Sequence, residues 1–297
     1  MKYGMKKIYL AAFVVISAFA LSSCSKDTAK DSGTNSNNDA VPSSFTQKVV
    51  VEEFTGAWCG YCIDGAYRLG NIVSANENAI GVSIHYGDGM QIAAYTDYKN
   101  AFTISGFPSG MVGRLPAMED NKTVVMNRGW WADNATDQLK NTAPCGLKID
   151  AQSTDAIKVT AGFNQEIQGD LRLTVMVIED KVTGKGSAYD QHNYYSKDYP
   201  NNDPNNPFYN LPSVVTGYEH NHVLRKVLSS QTMGDVIDAS AIKAGGKFEK
   251  SFSFDASSMN GANVKIVAFV NVVGSNAQSH KILNAQEVKL GASQGWD

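Results

Sequence analysis

An α/β domain followed by an all-β sandwich is the architecture that this 297-residue sequence predicts, and three observations predict it. The apolar run Val49-Val50-Val51 continues through Glu52-Glu53-Phe54-Thr55-Gly56 into Trp58-Cys59-Gly60-Tyr61-Cys62 and then into a helix-compatible segment. Helical and strand patterns go on alternating as far as Asn141, the order expected of βα units. Beyond Pro144 the apolar period becomes two: Ile157, Val159, Ala161 and Phe163 alternate with other residues, as do Leu171, Leu173, Val175 and Val177.

Residues 1–23 read as an address rather than as fold. Lys2, Lys6 and Lys7 precede the apolar run Ile8 to Leu21, which at 14 residues is shorter than the ~20 a membrane-spanning helix needs. This is the pattern of a secretion signal. Its end, Leu21-Ser22-Ser23-Cys24, resembles the lipobox of bacterial lipoproteins and makes Cys24 the lipidated residue, so the membrane itself is a partner. Residues 24–44 follow as a tether of Ser, Thr, Asn, Asp, Gly and Lys, too poor in apolar groups to offset the entropy of ordering. As a flexible coil the tether would hold the folded part roughly 25 Å from the membrane. Ser25-Lys26-Asp27 resembles a surface-export signal of Bacteroidetes-type lipoproteins. Without the three signal lysines the formal charge moves from -3 to -6, and no basic excess points to nucleic acid.

The first domain is expected over residues 45–141. Two thiols three residues apart at a helix start can close a small disulfide, and the unpaired amides of the helix stabilise a thiolate. Cys-Gly-Tyr-Cys therefore reads as a thioredoxin-type redox site. In a helix running from Cys59, residues Cys62, Ala66, Leu69 and Val73 share one face. That places Cys62 on the buried stripe and Cys59 near solvent, so Cys59 is expected to attack and Cys62 to resolve. A strand over Ala79 to Tyr86, a helix over Met90 to Ala101 and a short strand at Met111-Val112-Gly113 follow. The closing helix begins near Asp120 or Asn121, either of which can cap it, and carries Val124, Trp131, Ala135 and Leu139 at spacings of 7, 4 and 4. Trp130 and Trp131 are read as packing residues.

Gly106-Phe107-Pro108-Ser109-Gly110 gives this half a resemblance to the thioredoxin superfamily. The resemblance implies a cis-proline at Pro108 beside the cysteine turn, with Phe107, Trp58, Gly60 and Tyr61 shaping a substrate groove. It also implies that Glu53 is a buried acid that moves the proton of the resolving cysteine. The plainer alternative leaves Glu52 or Glu53 as a solvated strand-end charge. Gly60-Tyr61 matches the dipeptide of certain periplasmic disulfide isomerases.

The second domain, residues 144–297, carries strand candidates at Leu147 to Ala151, His222 to Ser229, Phe248 to Phe254, Val264 to Val273 and Ile282 to Leu290 besides the two above. Seven strands without an intervening helix predict an immunoglobulin-like sandwich. Residues 181–221 form a long connection rich in Asn and Tyr, either a partner or glycan surface or a flap folded back over one of the domains. His192, His220 and His222 lack a thiol or acidic ligand at a telling spacing, and no metal site is assigned to them. Cys145 reads as a small buried apolar residue.

The lipobox, Glu52-Glu53-Phe54-Thr55-Gly56 ahead of the two cysteines, the Gly106 to Gly110 turn and Tyr218-Glu219-His220-Asn221-His222-Val223-Leu224-Arg225 together resemble the outer-membrane-protein-28-related family of Bacteroidetes lipoproteins. The resemblance spans nearly all of the chain beyond the signal, and Ile63 stands where members commonly have Pro. It implies an outer-membrane, lipid-anchored protein facing the periplasm or the cell surface, with no cofactor. Two functions stay open: thiol-disulfide exchange with an exported protein substrate or redox partner, and a non-enzymatic surface protein whose Cys59–Cys62 bridge is structural.

Overall fold

The computed structural model describes residues 40–296. The secretion signal, Cys24 and most of the tether lie outside the described residues. The strands are β1 (Val49–Thr55), β2 (Ala79–His85), β3 (Ser109–Val112), β4 (Met126–Asn127), β5 (Cys145–Ser153), β6 (Ala156–Phe163), β7 (Asp170–Glu179) and β8 (Gln191–His192). They continue with β9 (Val214–Val215), β10 (Val223–Val227), β11 (Asp235–Val236), β12 (Lys247–Phe252), β13 (Val264–Val273), β14 (Ile282–Lys289) and β15 (Ala292–Gln294). The α-helices among the described residues are α1 (Cys62–Ala75), α2 (Tyr95–Ala101) and α3 (Trp131–Gln138).

An α/β thioredoxin-like domain followed by an immunoglobulin-like sandwich is not the fold. The chain is mostly β, and one mixed sheet runs β14-β13-β7-β10-β2-β1-β3-β4 across both halves of the sequence, with β11 on the flank of β7. The junction is parallel: Val223 of β10 pairs with Ser83 of β2, and the Ser83 amide donates to the His222 carbonyl at 2.7 Å. Period-two patterning specifies that a strand is half-buried but not which neighbour its hydrogen bonds choose. Here the 181–221 connection is long enough to return the chain beside β2 and cover what would otherwise be an open edge. A second sheet, β12-β6-β5-β15, stacks on part of the first.

Alternation along the strands assigns the cores. Val50 and Phe54 of β1, Met176 and Ile178 of β7 and Phe269 of β13 point to one face, where Tyr95, Tyr98 and Phe102 of the α2 region cover them. The opposite face is divided. At its β1 end Val49 and Val51 meet Leu69, Trp131 and Ala135 from α1 and α3. At its β7 end Leu173, Val175 and Val177 meet Leu147, Val159 and Phe163 of the second sheet. β1 and β2 are thus buried along their entire length on both faces.

Two helix starts differ from expectation. α1 begins at Cys62, so Cys59 sits in the preceding turn, its amide bonded to the Gly56 carbonyl at 3.0 Å. The closing helix begins at Trp131, because Asp120 instead accepts the Lys122 and Thr123 amides in a local turn and Asn121 takes a φ of 50°.

Candidate redox site

β1 delivers the chain directly into the cysteine turn. Cys59 and Cys62 are joined in a disulfide, their Cα atoms 5.3 Å apart, and the Cys62 amide donates to the Cys59 carbonyl at 3.0 Å. Cys62 is fully enclosed and Cys59 is only 5% exposed, which corrects the expectation of a solvent-facing Cys59. Trp58, 40% exposed, anchors its indole N–H on the Tyr86 carbonyl at 2.7 Å and sets its ring edge-on to Phe107, with centroids 5.5 Å apart. Phe107 in turn stacks on Tyr86 at 5.7 Å. The Phe107–Pro108 peptide is cis, and Pro108 leads into β3, which pairs antiparallel with β1.

The two glutamates of β1 point to opposite faces and neither is solvated. Glu52 lies under α2, where Nε and Nη2 of Arg114 donate to its two oxygens at 2.7 Å each, both residues fully buried. The Arg114 guanidinium also lies 5.0 Å from the Phe269 ring centroid and 5.5 Å from that of Tyr98. Glu53 faces α1. Its Oε2 accepts from the Ser83 hydroxyl at 3.4 Å, while its Oε1 has no hydrogen-bond partner. A Cβ on Gly65 would collide with that Oε1 and with Pro108, so the bare helix turn is what lets the carboxyl sit there. Burial pushes the Glu53 carboxyl up to about 8, against smaller opposing effects of Ser83, Thr55 and Arg128. Gly65 lies three residues after Cys62, on the same side of the helix, so the Glu53 carboxyl packs against the first turn of α1.

The 181–221 connection straps over the cysteine turn. The Gln191 side-chain amide donates to the Cys59 carbonyl at 2.9 Å, the His192 amide to Ala57 at 2.8 Å and the Tyr194 amide to Gly60 at 3.0 Å. Tyr61 is ringed edge-on by Tyr194 and Tyr195, at 5.3 and 5.6 Å. Arg128 ties the strap to the helix: its Nε donates to Asp64 of α1 at 2.5 Å and its Nη2 to the Tyr195 hydroxyl at 2.9 Å.

Known proteins place this architecture. A family model, that of outer membrane protein Omp28, matches residues 95–294, more than half of the chain. The chain belongs to the Omp28 family of outer membrane proteins. The matched stretch holds Pro108, the strap and the second sheet, and begins after the cysteine turn. Among solved structures this Omp28-family chain is similar to HBP35 of Porphyromonas gingivalis, with a TM-score of 0.63 at 23% identity over 83% of this chain and 76% of that one. It is also similar to a protein of Agrobacterium tumefaciens, with a TM-score of 0.52 at 15% identity over 83% and 96%. At such identities the likeness is one of fold. No curated protein matches. The Omp28-family chain is an outer-membrane protein, and among its described residues no helix is long and apolar enough to cross a membrane.

Around the cysteine turn, the Omp28-family chain brings together polar groups that sequence reasoning left unconnected, and Asp88 among them it did not notice. His85 Nδ1 meets Asp88 Oδ2 at 2.7 Å, and the Ala57 amide donates to the same oxygen at 2.8 Å. Burial pushes the Asp88 carboxyl up, but His85 and the Ala57 and Met90 amides outweigh it and hold it below the usual carboxylate range. His220 lies edge-on to His85 at 5.3 Å, its Nε2 2.8 Å from the Tyr189 carbonyl, and burial pushes it down to about 4. His222 sits instead beside Asp180. The excess of tyrosine in 181–221 was a signal that this segment packs on something; nothing in its pattern named the cysteine turn as the place. Cys145 is a buried free thiol that desolvation pushes up to about 12.

Proposed function

We propose that this outer-membrane protein, anchored by a lipid on Cys24, exchanges thiols and disulfides with exported polypeptides at Cys59–Cys62. One observation carries the reading: the buried Glu53 carboxyl, with one oxygen unpartnered, is set against the helix turn that begins at Cys62. A buried acid with one oxygen left unpartnered lowers stability, whereas one that keeps its proton to about 8 can protonate a departing thiolate near neutral pH. A substrate thiolate attacks Sγ of Cys59, the less enclosed sulfur; the new S–S bond forms as Cys59–Cys62 breaks, and the electron pair left on Cys62 takes the Glu53 proton. A second substrate thiolate then attacks the substrate sulfur of the mixed disulfide. The substrate gains a disulfide, Cys59 leaves as a thiolate, and the protein holds the two electrons as a dithiol. Trp58 and Phe107 offer an apolar shelf, with Pro108 beside it, for the chain that carries the thiols.

A second reading has its own observation. Cys59 lies under Gln191 and Tyr194, and Tyr61, Tyr194 and Tyr199 expose rings around it. A structural bridge beneath an aromatic surface that contacts a surface protein or glycan would look the same. The reduction potential separates the two. A value between about -120 and -270 mV supports exchange, and one below about -300 mV identifies a structural bridge.

A further inference from the structure

With the strap across the front of the cysteine turn, Glu53 must still regain a proton after giving one up. A cleft of about 430 Å³ opens beside α1, lined by Tyr67 and Gly70 of the helix, Ser83 of β2, Phe208 and Tyr218 from a later part of the 181–221 connection, and His222 ahead of β10. Ser83 connects the two. Its hydroxyl donates to Glu53 Oε2 at 3.4 Å, and Ser83 is also one of the residues that line the cleft. A hydroxyl is donor and acceptor at once, so it can pass a proton along without moving. Thr55 also faces the carboxyl, from β1, and burial, with a smaller effect of the Glu53 charge, pushes the Tyr218 phenol up.

We propose that Ser83 is a proton relay, and the cleft it lines the entry by which solvent re-protonates Glu53. This rests on the exchange reading of Cys59–Cys62. When Cys62 leaves as a thiolate it takes the Glu53 proton; the Glu53 carboxylate then takes the Ser83 hydroxyl proton in the same step in which Ser83 takes one from solvent in the cleft, so no alkoxide forms. The balance is one proton drawn from water and delivered to sulfur, with no electron moved along the relay. Ser83 is on this account a positioning and relay residue, and the strap can stay closed over the front while the proton arrives.

The test is stopped-flow reduction of the disulfide by dithiothreitol between pH 5 and 9 in dilute buffer, followed by Trp58 fluorescence. The variants are Glu53→Gln, Ser83→Ala and Gly70→Leu. No atom lies within 4 Å of the place a Cβ on Gly70 would take, so Gly70→Leu narrows the cleft without disturbing the buried network, and it favours the helix. Glu53→Gln is expected to slow reduction and abolish the inflection near pH 8. Ser83→Ala and Gly70→Leu are expected to slow it several-fold while keeping an inflection, and added imidazole, a small proton carrier, restores the rate of Ser83→Ala. Wild-type rates in both Ser83→Ala and Gly70→Leu alongside a slowed Glu53→Gln overturn the relay and leave the exchange reading standing. A slow Ser83→Ala that imidazole does not restore, with Gly70→Leu unaffected, also overturns it, as a structural effect. A Glu53→Gln variant indistinguishable from wild type removes the role of Glu53 itself, and the relay with it.

Discussion

Tyr194 lies on the bare Cα of Gly60, where a Cβ would fall inside its ring, and its amide donates to the Gly60 carbonyl at 3.0 Å. Gly60, the first of the two residues between the cysteines, is therefore a docking point for a strap that arrives from more than a hundred residues away. The ring is held further by Tyr61 and Tyr199, at 5.3 and 5.5 Å.

Tyr194→Ala is expected to uncover Cys59 and speed reduction of the disulfide by a small thiol, at a stability loss of about 0.5–1.5 kcal/mol for each ring contact removed. Gly60→Ala should act in the same direction by pushing the ring aside. Unchanged rates in both variants would mean that the strap does not control access.

Glu53 makes stability depend on pH in a direction unusual for a carboxyl. Its folded value, about 8, lies above the ordinary 4.5, so between those values the fold holds a proton that the unfolded chain has lost. The stabilisation is complete below pH 4.5 and is lost as pH rises toward 8, with a slope of at most about 1.4 kcal/mol per pH unit. Urea denaturation of wild type and Glu53→Gln at pH 5 and pH 8 checks this: the variant should gain on the wild type at the higher pH.

His220 works the opposite way. Its folded value of about 4 lies below the ordinary 6.5, so its contribution is present above pH 6.5 and is lost as pH falls toward 4. The groups facing it are His85 and Asp88 from the β2 end and Tyr189 and Tyr218 from the strap side. Protonation should loosen the strap, read as lower amide protection factors over residues 188–195 at pH 4.5 than at pH 7, once the pH dependence of intrinsic exchange is divided out. His220→Gln should flatten that difference.

Removing Arg114 alone leaves Glu52 charged and unpaired beneath α2, an expected loss of about 3–5 kcal/mol for Arg114→Met. Adding Glu52→Gln should recover a large part of it, because the stranded charge is then gone. Chemical denaturation of the single and double variants measures the coupling; a double variant no more stable than Arg114→Met would assign the loss to the packing of Arg114 on Phe269 and Tyr98 instead.

Local chemistry was legible in the sequence. The strand, turn and helix around Cys59 and Cys62, the strands β5, β6, β7, β12, β13 and β14, and the family resemblance all rest on patterns that a few neighbouring residues settle. The resemblance also pointed to a cis bond at Pro108. Glu52 and Glu53 show where local patterning stops: adjacent in one strand, they face opposite sides, and whether each is solvated depends on what the rest of the chain lays over it.

Sequence by itself determined where the long strands and the helix after the cysteine turn form and which residues can carry sulfur chemistry, because backbone period and side-chain type act over a few residues. Tertiary structure alone decided that β10 pairs with β2 and merges both halves into one sheet, that Arg114 finds Glu52, and that Gln191 and Tyr194 close over the Cys59-Gly60 turn. Each of those joins residues between 62 and 140 positions apart, and such contacts are selected by the combined burial of the whole core, which no local pattern encodes.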